Sequence, residues 1–530
     1  MHISGEPGKL PTMTEAAEPA GIPIGAGAVA GAVAGGAALG VTELLAGLIP
    51  GAPSVVTAIG SLVISLQPAG AKQIVVDLFG TADKLALNLA VALGAVVLTG
   101  VFGMVGRRRP GRAALGFGGL AVLGLAASLR DPLVEPLLAV GSAAVGAGVA
   151  IGAMRWLLRR AAPVMPSAEM PDWGRRRFVG SSLGVAALAA TGGGIGRLLL
   201  NQRDKSGAIG TQTIPPAIDP VSALTDGMEL GLTGLSAIVT PNPVFYRIDT
   251  SLLTPRLDAS TWRLEVSGMV DHPFSIDYAG LLAMPMHEEY VTISCVSNEV
   301  GGDLVGNALW RGARLSELLA RAGVRSGATQ VVGRSYDDWT AGFPTAWLDA
   351  PGREALVAVA MNGVALPPEH GFPARLIVPG LYGYVSATKW LTGIELTTLE
   401  AFDAYWVPLG WAKEAPILTQ SRIDVPRSTN GRLSAGEIAV AGVAWAPDRG
   451  ISRVEVRVDQ QPWVEAELSA PISDATWVQW VYRWSATPGA HLLQVRATDG
   501  TGAVQAETPT RPAPDGARGY HAISVEVSAN

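Results

Sequence analysis

The chain is poor in cysteine, in charge and in histidine within its apolar stretches. A single cysteine, Cys295, serves 530 residues. One thiol forms no intrachain disulfide. It also cannot build a Cys-rich zinc site or an iron–sulfur cluster, which need several thiolates. Charged residues make up 16% of the chain, and the net charge is −6. No basic stripe appears away from the flanks of the apolar runs, so nucleic-acid binding has little support. The six histidines are His2, His272, His287, His370, His491 and His521. None falls in an apolar run, which excludes a membrane haem held by paired histidines; no haem is expected in this chain.

Apolar residues are abundant and unevenly placed. They form 48% of the chain, with a mean hydropathy of +0.31, and crowd into the first 200 positions. Residues 1–20 are polar and expected to be disordered. Runs at 22–41, 85–105, 113–129, 137–158 and 178–200 each approach the roughly 20 residues that span a bilayer. A shorter run at 52–66 either spans or re-enters. The expectation for 21–200 is a transmembrane region of five or six helices, in contact with membrane lipid. "RRRPGR" (107–112) and the arginines between 155 and 177 mark cytoplasmic flanks, and the weakly charged 130–136 an outer one. The last span then delivers everything after about residue 201 to the outer face: a multi-pass cell-membrane protein whose C-terminal part is extracytoplasmic. "GRRRFVGSS" (174–182) opens that span. It resembles a twin-arginine export signal and reads equally as a plain positive-inside anchor.

A polar linker (201–234) follows. "STWRLEVSGMV" (260–270) alternates as a strand does. In "RLSELLARAG" (314–323), Leu315, Leu318, Leu319 and Ala322 share a helix face and Gly323 can end the helix. From about 416 to 530, alternating strands punctuated by turns read as an all-β sandwich of immunoglobulin type.

Cys295 sits in "YVTISCVSNEVGG" (290–302), at the end of a β-rich run. Gly301 and Gly302 provide flexible, closely approachable backbone. The residues alone leave three readings open: a small buried hydrophobe, a nucleophile with His287 as the nearest base in sequence, or a thiolate ligand of a soft metal.

The surroundings narrow this. "SCVSNEVGGDLVGNALWRGARLSELL" is similar to the molybdenum-binding segment of the sulfite oxidase superfamily. "MNGVALPPEHGFPARLIVPGLYGYVSATKWLTGIEL" (361–396) resembles a second motif of that family, and "TPNPVFYRIDT" (240–250) its opening. The C-terminal strands bearing Trp445, Trp463, Trp477, Trp480 and Trp484 resemble its dimerisation domain, which implies a possible homodimer. The resemblance covers 235–530 in order. It implies an α+β molybdopterin-binding domain at 235–415 holding one pterin per molybdenum, with Cys295 as the metal's protein ligand. His370 and Arg375 would contact the pterin and Thr388–Lys389 its phosphate end. Asn242, Phe245 and Tyr246 would line the pocket, and Ser335 stands where relatives use Asp or Thr. A small-molecule substrate and an electron partner, a quinone or a redox protein, are implied as well.

Departures bear on the substrate. Animal and plant sulfite oxidases place two arginines where this chain has Glu299 and Val300. An opening-segment arginine aligns with Ile248, leaving Arg247 one place off, and their active-site tyrosine has no counterpart beside Trp411. An acid in place of a cation disfavours sulfite. The expectation is therefore an oxygen-atom-transfer oxidoreductase acting on something other than sulfite, such as an S-oxide or N-oxide. Sulfite oxidation is the enzymatic alternative, and a metal-free, membrane-tethered binding module is the alternative outside enzymes.

Overall fold

The computed structural model of the chain describes residues 22–66, 83–131, 134–162, 173–205, 213–350, 353–427 and 433–529. The polar stretch 1–20 lies outside them. The chain divides into two compact units near residue 201.

In the first unit, α1 (Ile24–Leu48), α3 (Asp83–Gly106), α4 (Pro110–Ser128), α5 (Pro136–Ala161) and α6 (Trp173–Lys205) form the long helices, with the short α2 (Val55–Ser65) after α1. Five are long and apolar enough to cross a membrane. At 11 residues, α2 rises only about 16 Å and cannot. Small residues let α1 pack closely. Side chains at Gly31 or Gly103 would overlap the facing backbone of α3 or α1, and a Cβ on Gly47 would come within 2.6 Å of the Gly196 carbonyl of α6. Glu43, whose position near a span end suggests interfacial placement, is instead 4% exposed. Its carboxylate accepts from Ser54 Oγ (2.9 Å) and from the Val56 N–H at the start of α2 (3.2 Å). It also pairs with Arg197 Nε of α6 at 3.0 Å. A buried carboxylate needs such partners, and Arg197 arrives from more than 150 residues away.

The second unit holds four sheets. One joins β3 (His287–Ser294), β4 (Val305–Arg314), β7 (Leu356–Met361) and β8 (Val364–Ala365) in that order, with β9 (Arg375–Ile377) paired to β7. Another runs β2 (Phe274–Asp277), β1 (Arg263–Gly268), β10 (Leu391–Thr397), β5 (Gln330–Ser335), β6 (Thr340–Pro344). Within it only the β1–β10 pairing is parallel. The helix expected at 314–323 is Leu315–Ala322. All four residues assigned to its inner face are buried, and Gly323 closes it at φ 66°, a left-handed turn that favours glycine.

C-terminal to these, β11 (Gln420–Val425), β13 (Gly436–Trp445), β17 (Val478–Ala486) and β16 (Glu467–Leu468) form a four-stranded sheet. β12 (Leu433–Ser434), β19 (His521–Ser528), β18 (Gly489–Asp499), β14 (Ile451–Val458) and β15 (Val464–Glu465) form a five-stranded one. The two enclose a core that includes Val440, Val454, Trp480, Leu493 and Val495. They are joined to the preceding sheets rather than hung from them. The Thr292 N–H of β3 donates to Ala475 O (2.9 Å), and the Trp477 N–H donates to Thr292 Oγ1 (2.8 Å). The Trp477 indole donates to Ile238 O (2.8 Å). Val443, Trp445 and Trp477 belong to the core of the β3–β10 sheets. The stretch expected as a linker also lies, from residue 213, against this unit: Ile218 N–H donates to Met286 O, and Leu230 N–H to Gln479 Oε1.

Candidate active site

Cys295 follows β3 directly and is 8% exposed. Its N–H donates to Leu304 O (2.9 Å) and its carbonyl accepts from Asn298 N–H (3.0 Å), so the loop 295–304 closes on itself at the base. Asn298 braces it inside, accepting from Leu304 N–H at 2.9 Å. The expected flexible glycine has a definite use: Gly301 adopts φ 79°.

Arg375, the first residue of β9, is 4% exposed. It donates to His370 O (3.0 Å) and Ala387 O (3.5 Å), and its guanidinium lies 5.0 Å from the Trp310 ring. Burial pushes it down to about 10. Its Nε has no hydrogen-bond partner among the described residues. His370 is 3% exposed, and burial pushes it down to about 4. It is therefore neutral at pH 7, with Nε2–H donating to Asn242 O at 3.0 Å. Phe245 stacks on Tyr246 (5.2 Å) and meets Trp310 and His370 edge-on. Burial raises the Tyr246 phenol; Cys295 adds to the rise and Arg375 opposes it, which places Tyr246 among those side chains. Asn242 accepts from Asn362 Nδ2 at 2.7 Å.

Lys389 donates to Asp249 (2.8 Å) and to Glu369 O (3.2 Å). Burial pushes it down to about 8 and Asp249 holds it up. Gly371, at φ 112°, carries the backbone between Lys389 and Arg375: a Cβ there would lie 3.0 and 3.2 Å from theirs. Thr388 is fully buried, and its Oγ1 has no hydrogen-bond partner among the described residues. Ser335 donates to Asp337 at 2.6 Å, and Asp337 feels both Asp249 and Lys389. The structure thus brings Tyr246, Cys295, His370 and Arg375 together, with Lys389 and Ser335 on the flank toward Asp249.

Two participants were not foreseen. Asp249, 3% exposed at its side chain, pairs with both Lys389 and Arg247. The spacing of Arg247 and Asp249 in an extended segment, which puts both on one face, was the available signal. Tyr382 is 3% exposed and is affected electrostatically by Cys295. The sequence around Trp411 offers no tyrosine at the position relatives use, yet Tyr246 and Tyr382 reach the Cys295 neighbourhood from elsewhere. Trp411 itself packs against Tyr384 and Trp406. Arg311 is engaged by Glu288 at 2.5 Å.

Comparison with known proteins matches this part of the chain. The family model for the oxidoreductase molybdopterin binding domain matches residues 251–406. Rat mitochondrial sulfite oxidase is 32% identical over 276 residues, 43% of this chain and 49% of that protein. The uncharacterized oxidoreductase YuiH of Bacillus subtilis (strain 168) is 36% identical over 154 residues, 29% of this chain and 74% of that one. The chain belongs to the molybdopterin oxidoreductases of the sulfite oxidase superfamily. It spans about half the length of the sulfite oxidases it matches. Among solved structures, the sulfane dehydrogenase SoxCD from Paracoccus pantotrophus is similar with a TM-score of 0.49 and 24% identity, over 55% of this chain and 82% of that one.

A molybdenum-dependent oxidoreductase of this superfamily takes molybdenum on molybdopterin, and the residues present suit that group. Arg375 Nε and Thr388 Oγ1 are buried and lack partners among the described residues, which leaves both able to donate to a ligand. Arg375 and Lys389 supply positive charge for a phosphate-bearing cofactor. Among the described residues no three His, Cys, Asp or Glu side chains converge as a metal site, so a metal here has to bring most of its ligands with it.

Proposed function

We propose that this oxidoreductase is membrane-anchored, with its catalytic unit outside the cytoplasm, and that Cys295 is the protein ligand of its molybdenum. When bound, the cofactor supplies two-electron oxygen-atom transfer to or from a small substrate, and a quinone or redox protein exchanges the electrons. The observation that carries the reading is the placement of the chain's one thiol near Tyr246, whose phenol also feels Arg375, in a pocket with buried donors that lack partners among the described residues. Arg375, Thr388, Lys389 and His370 hold the cofactor, and Asn242, Phe245, Tyr246 and Ser335 shape its pocket. Neutral His370 orients through its bond to Asn242 and carries no charge to the site. Five long apolar helices and the placement of arginine at 107–112 and 155–177 support the anchoring and the orientation. The two C-terminal sheets read as an immunoglobulin-like sandwich through which two copies pair.

The substrate is one other than sulfite. Glu299 is exposed, so water screens its repulsion of an anion and that contribution is small. The missing attraction weighs more: Val300 is apolar, and Arg247 is already paired with Asp249 at 3.0 Å. An S-oxide or N-oxide needs no cationic cradle. Two measurements test the reading. Cys295→Ser should lose at least about 90% of activity, a tenfold effect worth ~1.4 kcal/mol, while remaining folded. Assays with sulfite and with several sulfoxides and artificial electron carriers should favour the oxides. Wild-type activity in Cys295→Ser refutes the ligand, and efficient sulfite turnover refutes the substrate class.

A further inference from the structure

The loop that carries Cys295 is held from outside its own sheet. Its far end, Gly301–Gly302, meets two side chains that arrive from more than a hundred residues downstream. Arg422, on β11, is 8% exposed and donates through Nη1 to Gly302 O at 2.7 Å. Its other two nitrogens are also bonded: Nε to Asp424 Oδ1 (2.6 Å) and Nη2 to Ser236 Oγ (2.8 Å). Asp424 is held in turn by Ser236 N–H at 3.1 Å. His521, first residue of β19, presses its ring against Gly301, where any Cβ would overlap it. The His521 Nδ1 accepts from Ile423 N–H at 2.9 Å, which ties the two C-terminal sheets together at the point where they touch the loop. The base of the same loop is the pair of bonds that flank Cys295.

We propose that Arg422 and His521 are positioning residues for Cys295: the C-terminal sheets clamp the far end of its loop and so fix where the thiol is presented. An arginine with all three of its nitrogens committed cannot swing away without breaking several charge-assisted bonds. A glycine at φ 79° under an aromatic ring leaves the loop no alternative path on that side. The catalytic relevance of the clamp rests on the reading of Cys295 as the metal's ligand; the clamp itself does not.

The chain's single cysteine makes the test direct. The full-length protein, produced without the cofactor, is exposed to N-ethylmaleimide, and the modified fraction is followed by mass spectrometry. Arg422→Ala should label about tenfold faster or more, the factor that loss of one charge-assisted hydrogen bond implies, with Arg422→Lys in between. Arg449→Ala is the control. Arg449 bonds Ile417 O, Asp448 and Asp499, so its loss should lower thermal stability yet leave labelling at the wild-type rate. Should Arg422→Ala fail to accumulate, Arg422→Lys carries the test alone and must label faster than wild type. Labelling of Arg422 variants at the wild-type rate overturns the clamp, as does an equal acceleration by Arg449→Ala. Wild-type activity in Cys295→Ser would refute the ligand reading and leave the clamp untouched.

Discussion

Replacing Arg375 by methionine should separate folding from cofactor retention. The guanidinium is buried, and lowering its ionisation from 12.5 to about 10 costs the folded, cofactor-free chain about 3 kcal/mol. Its bonds to His370 O and Ala387 O, at 3.0 and 3.5 Å, return about 2 kcal/mol together. Its position over Trp310 at 5.0 Å adds about 1 kcal/mol. The two sides nearly cancel, so in the cofactor-free protein methionine, apolar and flexible, should change stability by no more than about 2 kcal/mol in either direction. For a unit of this size that is a few degrees in Tm at most. Cofactor binding has no such compensation. On the proposed reading, the Nε that finds no partner among the described residues donates to the cofactor, and its loss should weaken retention by about 10- to 100-fold. Thermal unfolding of the cofactor-free chain and elemental analysis of molybdenum per chain read the two quantities independently. A Tm lowered by more than about 10 °C would mean that Arg375 is first a structural member. Molybdenum at wild-type content would mean that it does not hold the cofactor at all.

Acid should weaken the catalytic unit through two histidines. His370 and His521 are both pushed down to about 4 by burial, against 6.5 in the unfolded chain. Above pH 6.5 neither state binds the proton and stability is complete. Between pH 6.5 and 4 only the unfolded chain takes it up, at up to about 3 kcal/mol for each histidine. Denaturant midpoints from pH 7.5 to 4.5 should therefore fall, and less steeply in His521→Gln; a flat profile contradicts both assignments. In the unit of long apolar helices, Glu43→Gln leaves Arg197 without its carboxylate and should lower stability in detergent by about 2–4 kcal/mol. The double variant Glu43→Gln, Arg197→Gln should recover part of it. Unchanged melting of the single variant would show that the pair contributes nothing.

What could be read from the chain depended on how far apart the cooperating residues lie. The helix Leu315–Ala322 was legible to the residue, because a single turn-by-turn pattern and one glycine determine it. The long apolar helices were legible because length and composition suffice, and Val55–Ser65 drops out as a span on length alone. Cys295, His370, Arg375 and Lys389 were legible as a set through their motifs, and the structure gathers them from separate elements. Asp249, Arg197 and Arg422 were not. Each acquires its importance from a partner more than a hundred residues away: Lys389, Glu43 and Gly302 respectively. No local periodicity reports such a pairing, since only the folded sheets and helices create it.

The bond between Thr292 and Ala475, together with Trp477 seated in the neighbouring core, sets an order on biosynthesis. Beyond the His287–Asp219 bridge at its start, β3 leaves the ribosome with one edge open, and the segment that meets it there comes about 185 residues later. At about 5–20 residues per second that is a wait of roughly 10–40 s, and the Cys295 loop waits longer still, until His521 has been made. During that interval the nascent chain presents an unpaired strand edge and an incomplete core, the features that recruit chaperones. Cofactor loading ahead of that point would meet an unfinished pocket. Insertion into a complete pocket should therefore follow synthesis of the C-terminal strands, and chains truncated before β19 should retain less molybdenum per chain than the full-length protein.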